Sequence, residues 1–127
     1  MTNVVKYDII TRMLRDSRPI VWIKAARKDF EDFPEEAQAE FLRALTIVAE
    51  GRTPDIAKPL KGLGSGVLEL ALRHRGDAFR VVYAVQLGAD VWVVHAFQKK
   101  SKTGIKTPKA EIDLIRQRLK RVKEIQQ

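Results

Sequence analysis

The sequence predicts an α+β domain, a small antiparallel sheet covered by helices, in the order β-α-α-β-β-β-α. Three observations point to it. Residues 60–104 hold three runs of strand-like composition, 67–73, 79–86 and 91–97. Their connectors, 74–78 and 87–90, are short enough to make consecutive strands antiparallel neighbours. Apolar residues recur at helical spacing before these runs, over 35–50, and again after them, over 108–122.

Residues 1–18 read as an N-terminal arm ahead of a single domain spanning 19–127. Val4, Val5, Ile9, Ile10, Met13 and Leu14 suit either a short helix or an edge strand. The first fourteen residues lack the long apolar core and small-residue cleavage pattern of a secretory signal. Pro19 then opens the apolar run 20–23, a first strand with proline at its entrance, where a missing N–H costs little. Phe30 and Phe33 lie three apart on a helical turn. Pro34 fits the first turn of a second helix, with Glu35 and Glu36 near its positive end. Ala37, Phe41, Leu45 and Val48 form that helix's stripe, and Gly51 is a natural stop.

Residues 52–66 contain two prolines and three glycines and read as a loop. Gly62, Gly64 and Gly66 are followed by a strand rather than a helix, which argues against a nucleotide-binding turn. In the meander, Leu68, Leu70 and Leu72 share one face, with Glu69, Ala71 and Arg73 on the other. Phe79, Val81, Tyr83 and Val85 oppose Arg80, Val82, Ala84 and Gln86. Strict alternation sets Trp92 against Val91, Val93 and His95. Residues 98–106 are polar and lysine-rich, hence a loop. Thr107 caps a last helix with Pro108 at its first position, and Ile112, Ile115, Leu119 and Val122 form its stripe.

Composition narrows the function. The chain has 127 residues and no cysteine, so disulfides, thiol nucleophiles and thiolate metal sites are unavailable. This fits a cytoplasmic protein. No apolar run reaches membrane-spanning length, so no membrane association is expected. Charge is uneven: residues 1–50 hold 8 Lys/Arg against 9 Asp/Glu (net −1), residues 51–127 hold 16 against 7 (net +9). That asymmetry favours a polyanionic partner, nucleic acid first and an acidic protein second. The two histidines, His74 and His95, have no carboxylate at ligand spacing, so neither a metal nor a cofactor is expected. Carboxylates cluster in the N-terminal helices, away from the basic sheet.

The runs KPLKGLGSGVLELALRHRGDAFRVVYAV and VWVVHAFQKKSKTGIKTP resemble the phage-derived Gp49-like or HigB-like proteins of the RelE/ParE toxin superfamily. The resemblance covers residues 19–124. It implies a small twisted antiparallel sheet with two N-terminal helices and a C-terminal helix around it. It also implies the toxin of a type II toxin–antitoxin system. Such a toxin is a metal-independent endoribonuclease that cuts messenger RNA on the 70S ribosome. A cognate antitoxin inhibits it, often through a helix-turn-helix protein that supplies the only link to DNA. Some proteins of this fold poison DNA gyrase instead, so fold does not settle target. A basic RNA- or protein-binding module without catalysis is the third reading.

RNA cleavage of this kind uses the substrate's own 2′-hydroxyl, so the protein must move protons and stabilise charge on phosphorus. Similar toxins place a catalytic arginine at a strand end matching Arg73, whose forked guanidinium suits phosphate. Arg80, in Phe79-Arg80-Val81-Val82-Tyr83, resembles the arginine of the family's YRxxY-like pattern. It either contacts the phosphate or pairs across strands with Glu69. Lys61 is expected to contact RNA and to take part in proton transfer. Lys58, Lys100, Lys102 and Lys106 are the candidate RNA-backbone contacts. Relatives use the exit of the last strand for a proton-transfer residue, sometimes tyrosine or histidine. Here Lys99 and Lys100 stand there, so Lys99 is assigned as acid or charge stabiliser and the base is left open. His74, adjoining Arg73, is the histidine expected at the site. His95, Tyr83, Phe97 and Trp22 read as core, whereas Trp92 either packs under a helix or lines a groove.

Overall fold

The computed structural model describes residues 17–99 and 106–126. Within them, β1 (Ile20–Trp22) leads to α1 (Lys24–Glu31) and α2 (Glu35–Ala49). The strands β2 (Ala57–Pro59), β3 (Val67–His74), β4 (Asp77–Ala84) and β5 (Val91–Lys99) follow, and α3 (Lys109–Gln126) closes the fold. The sheet order is β1-β5-β4-β3-β2, antiparallel except for β1, which runs parallel to β5. Of the N-terminal arm, residues 1–16 lie outside the described residues, as do Lys100 and Lys102.

Alternation along the strands splits the apolar side chains between two cores. On one face, Leu70, Phe79, Val81, Tyr83 and Val93 pack against Phe30, Phe33, Phe41 and Leu45 of the helix pair. The three-residue spacing of Phe30 and Phe33 puts both rings in this layer, 5.5 Å apart, and Phe33 reaches Phe79 at 4.9 Å. On the other face, Val67, Val82, Ala84, Val94 and Phe97 pack against Ile115, Leu119 and Val122 of α3. Burial raises the Tyr83 hydroxyl to about 12, as expected for a phenol sealed in the first core.

Several elements depart from the expected ones, each for a local reason. The 52–66 loop contains an eighth element, β2, which pairs with β3 so that Lys58 opposes Glu69. The β3–β4 connector tightens to Arg75-Gly76, with φ of 51° and 87° and the flanking pair His74–Asp77 still in register. Two consecutive positive φ values give the turn whose twist matches that of the strands. β5 runs to Lys99, so residues 98 and 99 belong to the strand and not to a loop. A bulge breaks the β4–β5 register: Val82 opposes His95 while Tyr83 opposes Val93. It moves His95 onto the same face as Trp92, correcting strict alternation. α3 begins at Lys109, and Thr107 donates its hydroxyl hydrogen to Glu69 instead of capping the helix. Finally, Arg18 is part of the body. Its guanidinium donates to the carbonyls of Val85, Ala89 and Asp90 at 2.7, 2.8 and 2.9 Å, pinning the β4–β5 loop to the entrance of β1.

Candidate functional site

The register places three cations on one end of the α3 face of the sheet. Arg73 opposes Ala78, and Ala78 opposes Lys99, so Arg73 and Lys99 occupy one cross-strand row with β4 between them. Arg80, two residues further along β4, shares their face. With strands 4.8 Å apart and about 3.4 Å of rise per residue, the three Cα atoms form a triangle about 8–10 Å on a side. Side chains of this length meet easily over one anion.

Their environments differ. Arg73 is exposed and makes no salt bridge with a described residue. Lys99 is buried at 7% exposure. Burial pushes its ammonium below the ordinary lysine value; the Arg80 guanidinium lowers it further, Glu69 opposes this and Arg73 adds to it. These influences show that the four groups share one electrostatic neighbourhood. Arg80 donates from Nη1 to Glu69 Oε1 at 2.5 Å, with the two side chains only 11% and 7% exposed. The other Glu69 oxygen accepts from Thr107 at 2.6 Å. The buried Nε of Arg80 has no hydrogen-bond partner among the described residues. The cross-strand pair is therefore what Arg80 makes, and the guanidinium keeps one donor unspent.

Glu69 corrects the expectation that carboxylates stay away from the basic sheet. It sits at 6% exposure in the middle of the cationic face, in register with Lys58 on one side and Val82 on the other. Its alternation with Leu68 and Leu70, and the cross-strand pairing with Arg80 weighed above, signalled this in the sequence.

His95, in the same row as Glu69, is buried beneath α3. Arg118 donates to its Nδ1 at 2.9 Å and to the Val94 carbonyl at 3.0 Å. Nδ1 must therefore be the unprotonated nitrogen, leaving Nε2–H to donate to Glu111. Burial lowers the His95 pKa; the Glu111 hydrogen bond and charge oppose that, and Arg118 reinforces it. Both ring nitrogens are engaged. Glu111 and Arg118, seven residues apart on α3, carried no sign of this role.

Two expected site residues lie elsewhere. His74 follows Arg73 by one residue and so faces the helix pair, 3.6 Å from Glu36. Strand alternation separates it from Arg73's face. Lys61 is exposed beyond the Val67 end of β3, since the Leu60 N–H bonds the Val67 carbonyl. That is about 20 Å along the strand from Arg73, too far to share a phosphate with it. Lys58 is exposed on the edge strand beside Glu69, and Lys106 is exposed ahead of α3. No group of three or more His, Cys, Asp or Glu among the described residues is arranged to hold a metal ion.

The fold defines a class: an α+β domain with the architecture of a solved RelE toxin. An Escherichia coli toxin RelE variant in the free state is similar over 83% of this chain and 97% of its own, with 17% identity and a TM-score of 0.58. The Mycobacterium tuberculosis toxin–antitoxin complex RelBE2 aligns over 67% of this chain and 94% of the matched chain, with 20% identity and a TM-score of 0.44. A search of curated proteins finds no match. The family model described as phage derived protein Gp49-like matches residues 28–120, and the chain belongs to that family.

Proposed function

We propose that this protein is the toxin of a type II toxin–antitoxin pair, a metal-independent endoribonuclease acting on messenger RNA at the ribosome. The observation that carries this reading is the grouping of Arg73, Arg80 and Lys99 on one sheet face, around a geometry suited to a single phosphate. The architecture shared with RelE and the +9 net charge of residues 51–127 support it.

The reaction would be attack of the substrate 2′-oxygen on the adjacent phosphorus, its proton passing to solvent water, with expulsion of the 5′-oxygen and formation of a 2′,3′-cyclic phosphate. Arg73, exposed at its strand end, would bind the non-bridging oxygens as charge builds on them. Lys99, its pKa lowered but its ammonium next to the phosphate, would give a proton to the departing 5′-oxygen. Arg80, closed onto Glu69 with its Nε buried, would add positive charge to the face rather than a direct contact. Glu69 has one oxygen on Arg80 and one on Thr107, so its role is to hold these groups rather than to take the 2′-proton. Lys58 and Lys106 would follow the RNA backbone, together with Lys100 and Lys102. A cognate antitoxin would neutralise the toxin, and both would act in the cytoplasm.

Induced expression followed by primer extension on cellular messenger RNAs tests this. Cuts that disappear with Arg73→Ala or Lys99→Ala are expected. Growth arrest without cuts, accompanied by supercoiling defects, would overturn it in favour of a gyrase-directed toxin. Two observations favour a second reading, a basic RNA-binding module without catalysis. Arg80 is closed onto Glu69, and His74 faces away. RNA binding that depends on Arg73 with no cleavage under any condition would establish that reading.

A further inference from the structure

At the end of the sheet opposite the cationic cluster lies a groove between α3 and the β1–α1 junction. Its floor includes Trp22, Trp92, Leu114 and Ile125. Ile125 is 64% exposed, one of two large hydrophobic residues left in solvent among the described residues. Leu114, Gln117, Arg118, Arg121, Val122 and Ile125 recur at intervals of three and one along α3. This is one continuous helix face about 16 Å long, or three turns. It lies beside the stripe that α3 buries, and Val122 belongs to both.

Among the described residues, the ionisable side chains that line the groove are Lys24, Lys28, Arg118 and Arg121, all cationic, with Asp29 and Glu111 near Arg118 but outside the lining. An apolar channel of helix length whose described charged lining is basic suits a partner apolar on one side and acidic on the other. A nucleic acid would satisfy the rim and leave Leu114 and Ile125 without apolar contacts.

We infer that this groove docks an acidic amphipathic helix, about three turns long, supplied by a partner protein. The site is independent of the phosphate-binding reading. Trp92 and Lys99 lie seven residues apart on β5, which separates groove and cationic cluster by about 20 Å. One partner segment in the groove would leave the cationic face open.

The two tryptophans of the chain both line the groove, so intrinsic fluorescence reports its occupancy directly. The full chain would be titrated with a synthetic tryptophan-free peptide. The peptide carries leucine at i, i+3, i+4, i+7 and i+8 and glutamate at most other positions. A saturable blue shift is expected. Ile125→Glu and Arg121→Glu, both at exposed positions that leave the core intact, should each weaken binding by about tenfold, the loss typical of an interface anchor. Arg73→Ala should leave the titration unchanged, so failure of the nuclease reading would not touch this one. Equal binding of a lysine-for-glutamate peptide would overturn the proposal, as would equal binding of a peptide with serine in place of leucine. Displacement of the peptide by an oligouridylate would assign the groove to RNA. A matching blue shift abolished by Ile9→Glu in the absence of peptide would assign it to the chain's own N-terminal segment. Either outcome refutes the partner helix.

Discussion

Removing Arg80 should damage the fold more than its position near a candidate phosphate site suggests. Its guanidinium lies 2.5 Å from Glu69 Oε1, and neither side chain exceeds 11% exposure. Arg80→Ala leaves a buried carboxylate without its guanidinium partner, held by the Thr107 hydroxyl and the nearby Lys99 charge. Breaking a buried pair by deleting one partner costs about 3–5 kcal/mol, because the remaining charge is left in a medium that solvates it poorly. For a domain of this size that corresponds to a fall in Tm of about 10–20 °C. Replacing both groups, as in Glu69→Leu with Arg80→Met, removes the stranded charge and should recover most of the loss. Urea denaturation of the wild type, both single variants and the double variant gives the coupling energy directly. A cost below about 1 kcal/mol for Arg80→Ala, or a double variant no more stable than the singles, would refute this reasoning. The pair would then behave like a solvated surface contact. The result also governs how activity data are read. Loss of cleavage in Arg80→Ala says nothing about catalysis until stability is known, whereas exposed Arg73 carries no such ambiguity.

Three further outcomes follow from the same geometry. Arg73→Ala should shift the urea midpoint within error of wild type, as usual for an exposed side chain, while weakening binding of an oligoribonucleotide; binding assays at fixed salt check this. His95 is held below its ordinary value by burial, so between that value, about 6.5, and its lower folded pKa the unfolded chain binds the extra proton. Stability should therefore be full above about pH 6.5 and decline as pH falls below it, and His95→Gln should flatten that part of a urea-midpoint series. Gly66 has φ +76°, and a Cβ there would lie 2.6 Å from Gln86 Cγ. Gly66→Ala should cost about 1–2 kcal/mol, read from thermal or urea melts, because the backbone is left-handed even if Gln86 moves aside.

The strands and helices were legible because each runs long enough to display its period. The alternation of Leu68, Leu70 and Leu72 against Glu69, Ala71 and Arg73 correctly assigned both faces of β3, and the spacing of Ile115, Leu119 and Val122 the stripe of α3. Legibility failed where a single residue changes register or a short pairing depends on a distant partner. The bulge beside Val94 reverses the face of His95, and nothing in VWVVHAF marks which residue is extra. β2 is three residues long and exists because β3 offers it an edge. At the site, alternation put Arg73 and Arg80 on one face, but only the folded chain reveals Lys99 as buried strand in place of exposed loop. Glu111 and Arg118 were unreadable as a pair, since their common target, His95, lies on another element.

The position of Glu69 sets how the cationic face can work. If three cations stood there alone, each would raise the cost of the others, and the buried Lys99 would bear most of that cost. A carboxylate in their midst offsets the repulsion, fixes Arg80 in one orientation and ties the segment before α3 to the sheet through Thr107. A phosphate arriving at this face must then be recruited first by exposed Arg73, since Glu69 already holds one end of Arg80 and would repel a dianion brought close to it. Binding should accordingly prefer the singly charged phosphodiester of a nucleic acid chain over a terminal phosphomonoester. Replacing Glu69 by glutamine should reduce that preference by removing the negative charge while keeping the shape. Competition between an oligoribonucleotide with and without a 5′-phosphate, read on both variants, checks this. An unchanged preference in Glu69→Gln would show that the carboxylate serves the fold alone.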